Sequence, residues 1–183
     1  MIARIFGILG ALVGAALVAA LIVFFFVGKT YRIPSAAMEP TLHCARPAPQ
    51  CEGKHQDRVL VFKFFGFGRG DIVVFHVPAR AEAACGVGGV YVKRIIGMPG
   101  DRWQEKQGFV YVNGKKLDEP YVDPGKRDSQ SYPARRIPAN SYFLMGDNRS
   151  SSCDSRRWGT VAHDRIIGRI FAVYWPPPRI HII

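Results

Sequence analysis

The chain has 183 residues, 48% of them hydrophobic and 21% charged, with a formal net charge of +11. That length allows about one domain plus an appendage, and the composition excludes a disordered chain. The positive balance raises nucleic acid as a partner. No RNA-binding signature or aromatic-basic repeat accompanies it, so a surface resting on anionic lipid is the simpler reading and no nucleic acid is expected.

Residues 5–27, IFGILGALVGAALVAALIVFFFV, contain no charged side chain. A bilayer span needs about 20 apolar residues, and a buried core helix of this length would be unusual without one polar position. A cleaved secretory leader has an apolar region of about 7–15 residues, and Gly28-Lys29-Thr30 is a poor small-residue cleavage site. The expectation is an uncleaved transmembrane helix within residues 1–28, followed by one domain over 29–183. Arg4 flanks one end of the span while Lys29 and Arg32 flank the other, so the positive-inside rule does not orient it.

The four cysteines bear on orientation. Cys44 and Cys51 bracket a short proline-rich loop, as a small disulfide would, which leaves Cys85 and Cys153 as a second possible pair. Two bridges would place residues 29–183 outside the cytoplasm, in a single-pass protein of the cell membrane. Four cysteines allow three connectivities, spacing does not choose among them, and four buried free thiols are the alternative. No CxxC occurs and the five histidines are scattered, so neither a metal nor a cofactor is expected.

Beyond residue 58 the sequence consists of short β-type runs separated by Gly, Pro, Asn and Asp. These are Asp71–Val77, Val90–Met98, Phe109–Val112 with Lys115–Leu117, Tyr142–Met145 and Ile166–Trp175, and Asn113-Gly114 is a strong hairpin turn. No stretch after the anchor sustains a helical period, which predicts a mainly β, indeed all-β, domain. One run, Val59–Phe67 (VLVFKFFGF), reads either as a core strand with a glycine kink or as a lip entering the bilayer interface.

Three segments carry chemistry. Ile33-Pro34-Ser35-Ala36-Ala37-Met38-Glu39-Pro40-Thr41-Leu42 is a proline-flanked loop just after the apolar run. Tyr91–Asp101 (YVKRIIGMPGD) reads as a strand in which Val92 and Arg94 share one face while Tyr91, Lys93 and Ile95 share the other. A lysine on the apolar face is costly unless neutral or paired, so Lys93 is either a snorkelling surface lysine or a buried amine of lowered pKa suited to general-base work. Met145–Arg156 (MGDNRSSSCDSR) is a loop dense in hydroxyls and charges, able to fix such an amine or simply to be solvated.

Together, and in this order, these segments resemble type I signal peptidases, the membrane-anchored Ser-Lys proteases that remove signal peptides from exported proteins. The resemblance covers essentially the whole chain, including Arg69–Phe75 (RGDIVVF) and the GDNRSSSCDSRRWG box. The Cys44–Cys51 loop looks most like the actinobacterial-type enzymes. The resemblance implies a signal-peptidase-type β fold, no metal or cofactor, and cleavage after small residues at A-x-A-like sites. The implied partners are signal peptides of exported preproteins, the lipid bilayer and the secretion translocon. By the same resemblance Lys93 matches the general base, Ser35 an oxyanion-hole hydroxyl, and Ser152 the serine that orients the lysine. Asp147, Asp154 and Arg156 match supporting residues, and Ile33, Pro34, Met38 and Val92 fall on segments lining shallow pockets for small side chains.

The family's nucleophilic serine precedes the Met of this loop, and here that position is Ala37. A methyl group forms no acyl-enzyme, and losing a nucleophile of this kind can cost about 10⁶ in rate. Ser35 lies two positions away, beyond the roughly 0.5 Å tolerance of a productive site. The expectation is an inactive chain. A serine-to-alanine replacement made to trap substrate or stop self-cleavage accounts for Lys93, Ser35 and Ser152 remaining in place. The alternatives are a naturally inactive homologue that binds signal peptides or translocation partners without cutting, and an anchored basic domain with a lipid-facing role.

Overall fold

The computed structural model describes residues 10, 13–18, 28–63, 66–86 and 88–183. Most of the expected span at 5–27 lies outside the described residues; of it, Gly10 and residues 13–18 are helical and exposed. Among the described residues no helix is long and apolar enough to cross a membrane.

The rest is mainly β. Strand β1 (Lys29–Arg32) leads into a single 3₁₀ turn at Ala36–Met38. Then follow β2 (Arg58–Phe62), β3 (Ile72–His76), helix α1 (Ala79–Cys85) and β4 (Val90–Gly97). A compact group of strands comes next: β5 (Arg102–Lys106), β6 (Phe109–Val112), β7 (Lys115–Lys116) and β8 (Tyr132–Arg136). The chain closes with β9 (Ser141–Met145), helix α2 (Ser155–Trp158), β10 (Val161–Ala162), β11 (Ile166–Trp175) and β12 (His181–Ile182). Among the described residues they make an eight-stranded sheet, ordered β1-β2-β11-β3-β4-β9-β10 with β12 on β11, and a four-stranded sheet ordered β7-β6-β5-β8.

Every strand pair in both sheets is antiparallel. Period-two alternation therefore divides the large sheet into two apolar faces. Val73, Phe75, Ile95 and Leu144 pack on one, with Tyr91 against them. Ile72, Val74, Ile33, Met38 and Val59 pack on the other, joined by Val92. A third cluster, in which Trp103 stacks on Phe143 at 4.1 Å between ring centroids, fastens the small sheet to β9.

The all-β expectation is corrected by α1 and by the single turn of α2. Residues 79–85, ARAEAAC, form a helix. Their alanines have the highest helix propensity of any residue, and Gly86, at φ 74°, closes the last turn in the left-handed region. Seven residues are too few for a helical period to stand out in sequence. The run Val59–Phe67 is a buried strand as far as Val61, with Phe62 meeting Phe171 edge-on at 5.6 Å. Residues 64 and 65 lie outside the described residues, whereas Phe67 packs back onto Tyr142.

Both cysteine pairs close as disulfides, Cys44–Cys51 and Cys85–Cys153. The second ties the C-terminal end of α1 to the segment that precedes α2.

Candidate active site

The loop after β1, strand β4 and the segment between β9 and α2 converge on one cleft of about 530 Å³. Ile33, Pro34, Ser35, Ala37, Met38, Val92 and Lys93 all line it, together with the Cys85–Cys153 pair. Ile33 and Met38 are buried, so they form its floor, whereas Pro34 and Ser35 are exposed at its rim. Ala37 occupies the middle residue of the 3₁₀ turn and is itself buried.

Two hydrogen bonds from Asn148 hold that turn. Its backbone N–H donates to the Ala37 carbonyl at 3.1 Å, and its side-chain amide donates to the Ala36 carbonyl at 3.1 Å. Gly146 lies against the same carbonyl, where a β-carbon would collide with the Ala37 oxygen and the Ser152 side chain. A glycine is therefore required at the point where the first and third segments meet.

Lys93 faces the Phe75 and Ile95 side of the sheet, opposite Val73 on β3, with its ammonium 5.5 Å from the centre of the Tyr91 ring. Only 4% of the residue is exposed. Burial drives its pKa down to about 8, against the opposing pull of the Asp154 and Asp147 carboxylates. Burial thus moves this amine toward the neutral form that a general base requires.

Behind the lysine lies a sealed ionic network. Asp154 is fully buried and takes three bonds from Arg156, Nε to Oδ1 and Nη2 to Oδ2 at 2.9 Å each and the backbone N–H to Oδ1 at 3.2 Å, and one from the Gly146 N–H at 3.1 Å. Burial alone would raise the Asp154 pKa, but Arg156, reinforced by Lys93 and Ser152, holds it below the usual carboxylate range. The Ser152 hydroxyl is buried beside this carboxylate without completing a well-formed hydrogen bond to any described residue. Asp147 points elsewhere: Arg94 grips it through Nε at 2.9 Å and Nη2 at 2.6 Å, and the Thr41 hydroxyl donates to it at 2.6 Å. Arg94 in turn stacks over Tyr121, 4.0 Å from its ring centre. The Asp147 pair therefore ties the small sheet's flank to the loop of Ala37, while Asp154 exerts the stronger pull of the two carboxylates on the amine.

Several residues here escaped sequence reasoning. Glu39 is fully buried, and its Oε1 accepts the backbone N–H groups of Cys44 and Glu52 at 3.0 Å each, which staples the disulfide-closed loop to the turn of Ala37. Asn148, Arg94, Gln50 and Thr41 were likewise unassigned. Their partners lie far away in sequence, and the only signal available was their presence inside the three dense segments. Glu39, His43 and Glu52 bring one ligand atom each within 4.8 Å of one another. Those atoms are already engaged by loop amides, by each other and by Lys126, so the cluster is explained by loop structure and no metal is assigned.

The sequence matches the family described as "Signal peptidase, peptidase S26" over residues 6–175. The chain belongs to this signal peptidase family. Among curated proteins it is 36% identical to a probable signal peptidase I-2 of Synechocystis, over 96% of this chain and 76% of that one. It is also 36% identical to a signal peptidase I of Leptolyngbya laminosa, over 92% and 79% of the two chains. Signal peptidase IB of Staphylococcus aureus is 33% identical, over 86% of this chain and 85% of that protein. Among solved structures, a signal peptidase I from Enterococcus faecalis aligns with a TM-score of 0.47 and 27% identity, over 57% of this chain and 97% of that one. By family the chain is a peptidase hydrolase whose substrates are preprotein signal peptides. The cleft described above is thus the place to seek a signal peptidase's chemistry.

Proposed function

We propose that this signal peptidase works through a Ser-Lys dyad whose lysine is Lys93, and that the chain as written is a disarmed form of it, with Ala37 at the nucleophile position. The single observation that carries the reading is that Lys93, buried and with its pKa lowered to about 8, lines the same cleft as Ala37. A neutral amine there would accept the proton of a serine hydroxyl without a histidine. Ser152 and the Asp154–Arg156 pair would hold the amine in place, and Ser35 at the rim would meet the developing oxyanion with the backbone N–H of residue 37. Ile33, Pro34, Met38 and Val92 would form shallow walls suited to the small residues of an A-x-A site.

In this reading residues 1–28 anchor a domain, 29–183, that lies outside the cytoplasm. Two disulfides suit an oxidising compartment, and the net charge of +11 suits an anionic bilayer surface. Substrate arrives as an exported preprotein, from the secretion translocon or along the membrane.

The test compares the chain as written with Ala37→Ser, both full-length in detergent micelles, on an A-x-A signal-peptide substrate. Cleavage appears only in the serine form. If the serine form binds the peptide without cutting it, the fold is a recognition module and a naturally inactive homologue is the correct description. If neither form binds, the dyad reading fails.

A further inference from the structure

A second groove, of about 350 Å³, opens on the far side of Gln50 from the cleft of Lys93. Gln50 lines both, and Asn148, which holds the carbonyls of Ala36 and Ala37, lines the second. The groove therefore begins one hydrogen bond away from position 37. Its other walls are Cys51, Glu52, Gly125, Lys126 and Ser150, with Lys126 paired to Glu52, so it is more polar than the cleft.

Gln50 is placed there by construction rather than by chance. It is the residue before Cys51 in the disulfide-closed loop and adopts φ 62°, in the left-handed region that is unfavourable for a non-glycine residue. The loop is pinned through Glu39 to the backbone at Cys44 and Glu52, and through the Arg46 guanidinium to the Glu52 carbonyl at 2.8 Å. From that frame the Gln50 side-chain carbonyl accepts from the Asn148 amide at 3.4 Å and from the Ser151 hydroxyl. With its oxygen so committed, Gln50 keeps its amide N–H groups for a chain crossing the junction.

The residues before a scissile bond at position 37 need the apolar walls near Ile33 and Val92, which lie on the β1 and β4 side. A polypeptide passing position 37 in extended form leaves on the opposite side, past Gln50. We propose that the groove of Glu52, Lys126, Asn148 and Ser150 binds the polypeptide that follows the scissile bond, with Gln50 donating to its backbone at the crossing. The groove's amide, hydroxyl and charged groups suit a polar, extended segment better than the apolar cleft does.

This rests on the peptidase reading, and the test separates the two. The full chain in detergent micelles, where Ala37 prevents turnover, is titrated with two fluorescent peptides. One ends at the last small residue of an A-x-A site and the other continues for four polar residues. The longer peptide binds about tenfold tighter. The ratio of the two affinities, which general loss of folding leaves unchanged, falls towards one in Gln50→Ala and drops in Lys126→Ala. Equal affinities for the parent chain, or a tenfold gain that survives in Gln50→Ala, overturn the proposal. Failure of both peptides to bind the parent overturns the peptidase reading itself, and this inference with it.

Discussion

Asn148 closes the site over Ala37: its backbone N–H and its side-chain amide take the carbonyls of Ala37 and Ala36, each at 3.1 Å. Because the turn of residues 36–38 has little regular structure of its own, its position is set from the box at 146–156. Every prediction about residue 37 therefore depends on charges buried behind it.

Lys93 is the first of these. Its folded pKa of about 8 lies below the ordinary lysine value of 10.5. Below pH 8 both folded and unfolded chains carry the proton and the full cost of burying the charge is present. As pH rises from about 8 to 10.5 the folded chain loses its proton first, so stability increases with pH across that window. At neutral pH Lys93→Met therefore stabilises the chain, by up to about 3 kcal/mol, read as a rise in chemical-denaturation midpoint. In an Ala37→Ser background the same substitution abolishes cleavage, and the parent serine form shows a rate rising with pH through an inflection near 8.

Asp147 and Arg94 are buried and doubly bonded to each other. Removing one partner leaves the other charge unpaired in the interior, which costs about 3–5 kcal/mol. Asp147→Ala and Arg94→Met each show that loss in urea unfolding. The double substitution loses clearly less than the sum, because neither charge is then stranded.

Glu105 gives a pH effect of the opposite sign. Its carboxyl is 1% exposed, lies 3.6 Å from Arg156 and accepts no hydrogen bond from a described residue. Burial lifts its pKa to about 7, with Arg156 only partly opposing the rise. The folded chain holds this proton more tightly than the unfolded one, so the stability it provides is complete below about pH 4.5 and is lost as pH rises through 7. Glu105→Gln raises the melting temperature at pH 8 and leaves it nearly unchanged at pH 5. Equal shifts at both pH values would count against a buried titrating carboxyl.

The disulfides contribute unequally. Cys85–Cys153 joins residues 68 apart, whereas Cys44–Cys51 joins residues 7 apart. Loop-closure entropy gives about 4 kcal/mol for the longer loop and about 2.5 for the shorter. Replacing Cys85 and Cys153 by serine lowers global stability more than replacing Cys44 and Cys51. The short bridge instead governs Gln50, and its loss is read in the affinity ratio of the two peptides.

Much of the fold was legible because the signals were local. Asn113-Gly114 marked the β6–β7 hairpin, whose strands pair Tyr111 with Lys116 and Val112 with Lys115. Ile166–Trp175 is a strand over its full expected length. The alternation around Lys93 was readable because a strand's period of two does not depend on its neighbours. Strands β5 and β8 were not readable. RWQEK and YPARR mix charge with aromatics, and only the small sheet folding against Phe143 makes Trp103 and Tyr132 its core partners.

The sequence by itself determined the family, the mainly β character, and that position 37 holds a methyl group where the proposed dyad needs a hydroxyl. Those are properties of residues within single segments, and short-range sterics and composition suffice to express them. Tertiary structure alone decided which carboxylate serves which cation, since Asp147 went to Arg94 and Asp154 to Arg156. It also decided that Lys93 is buried and that Gln50 stands between two grooves. Charge pairing and desolvation depend on distances in space, and partners some 50 to 110 residues apart meet only when the sheets close.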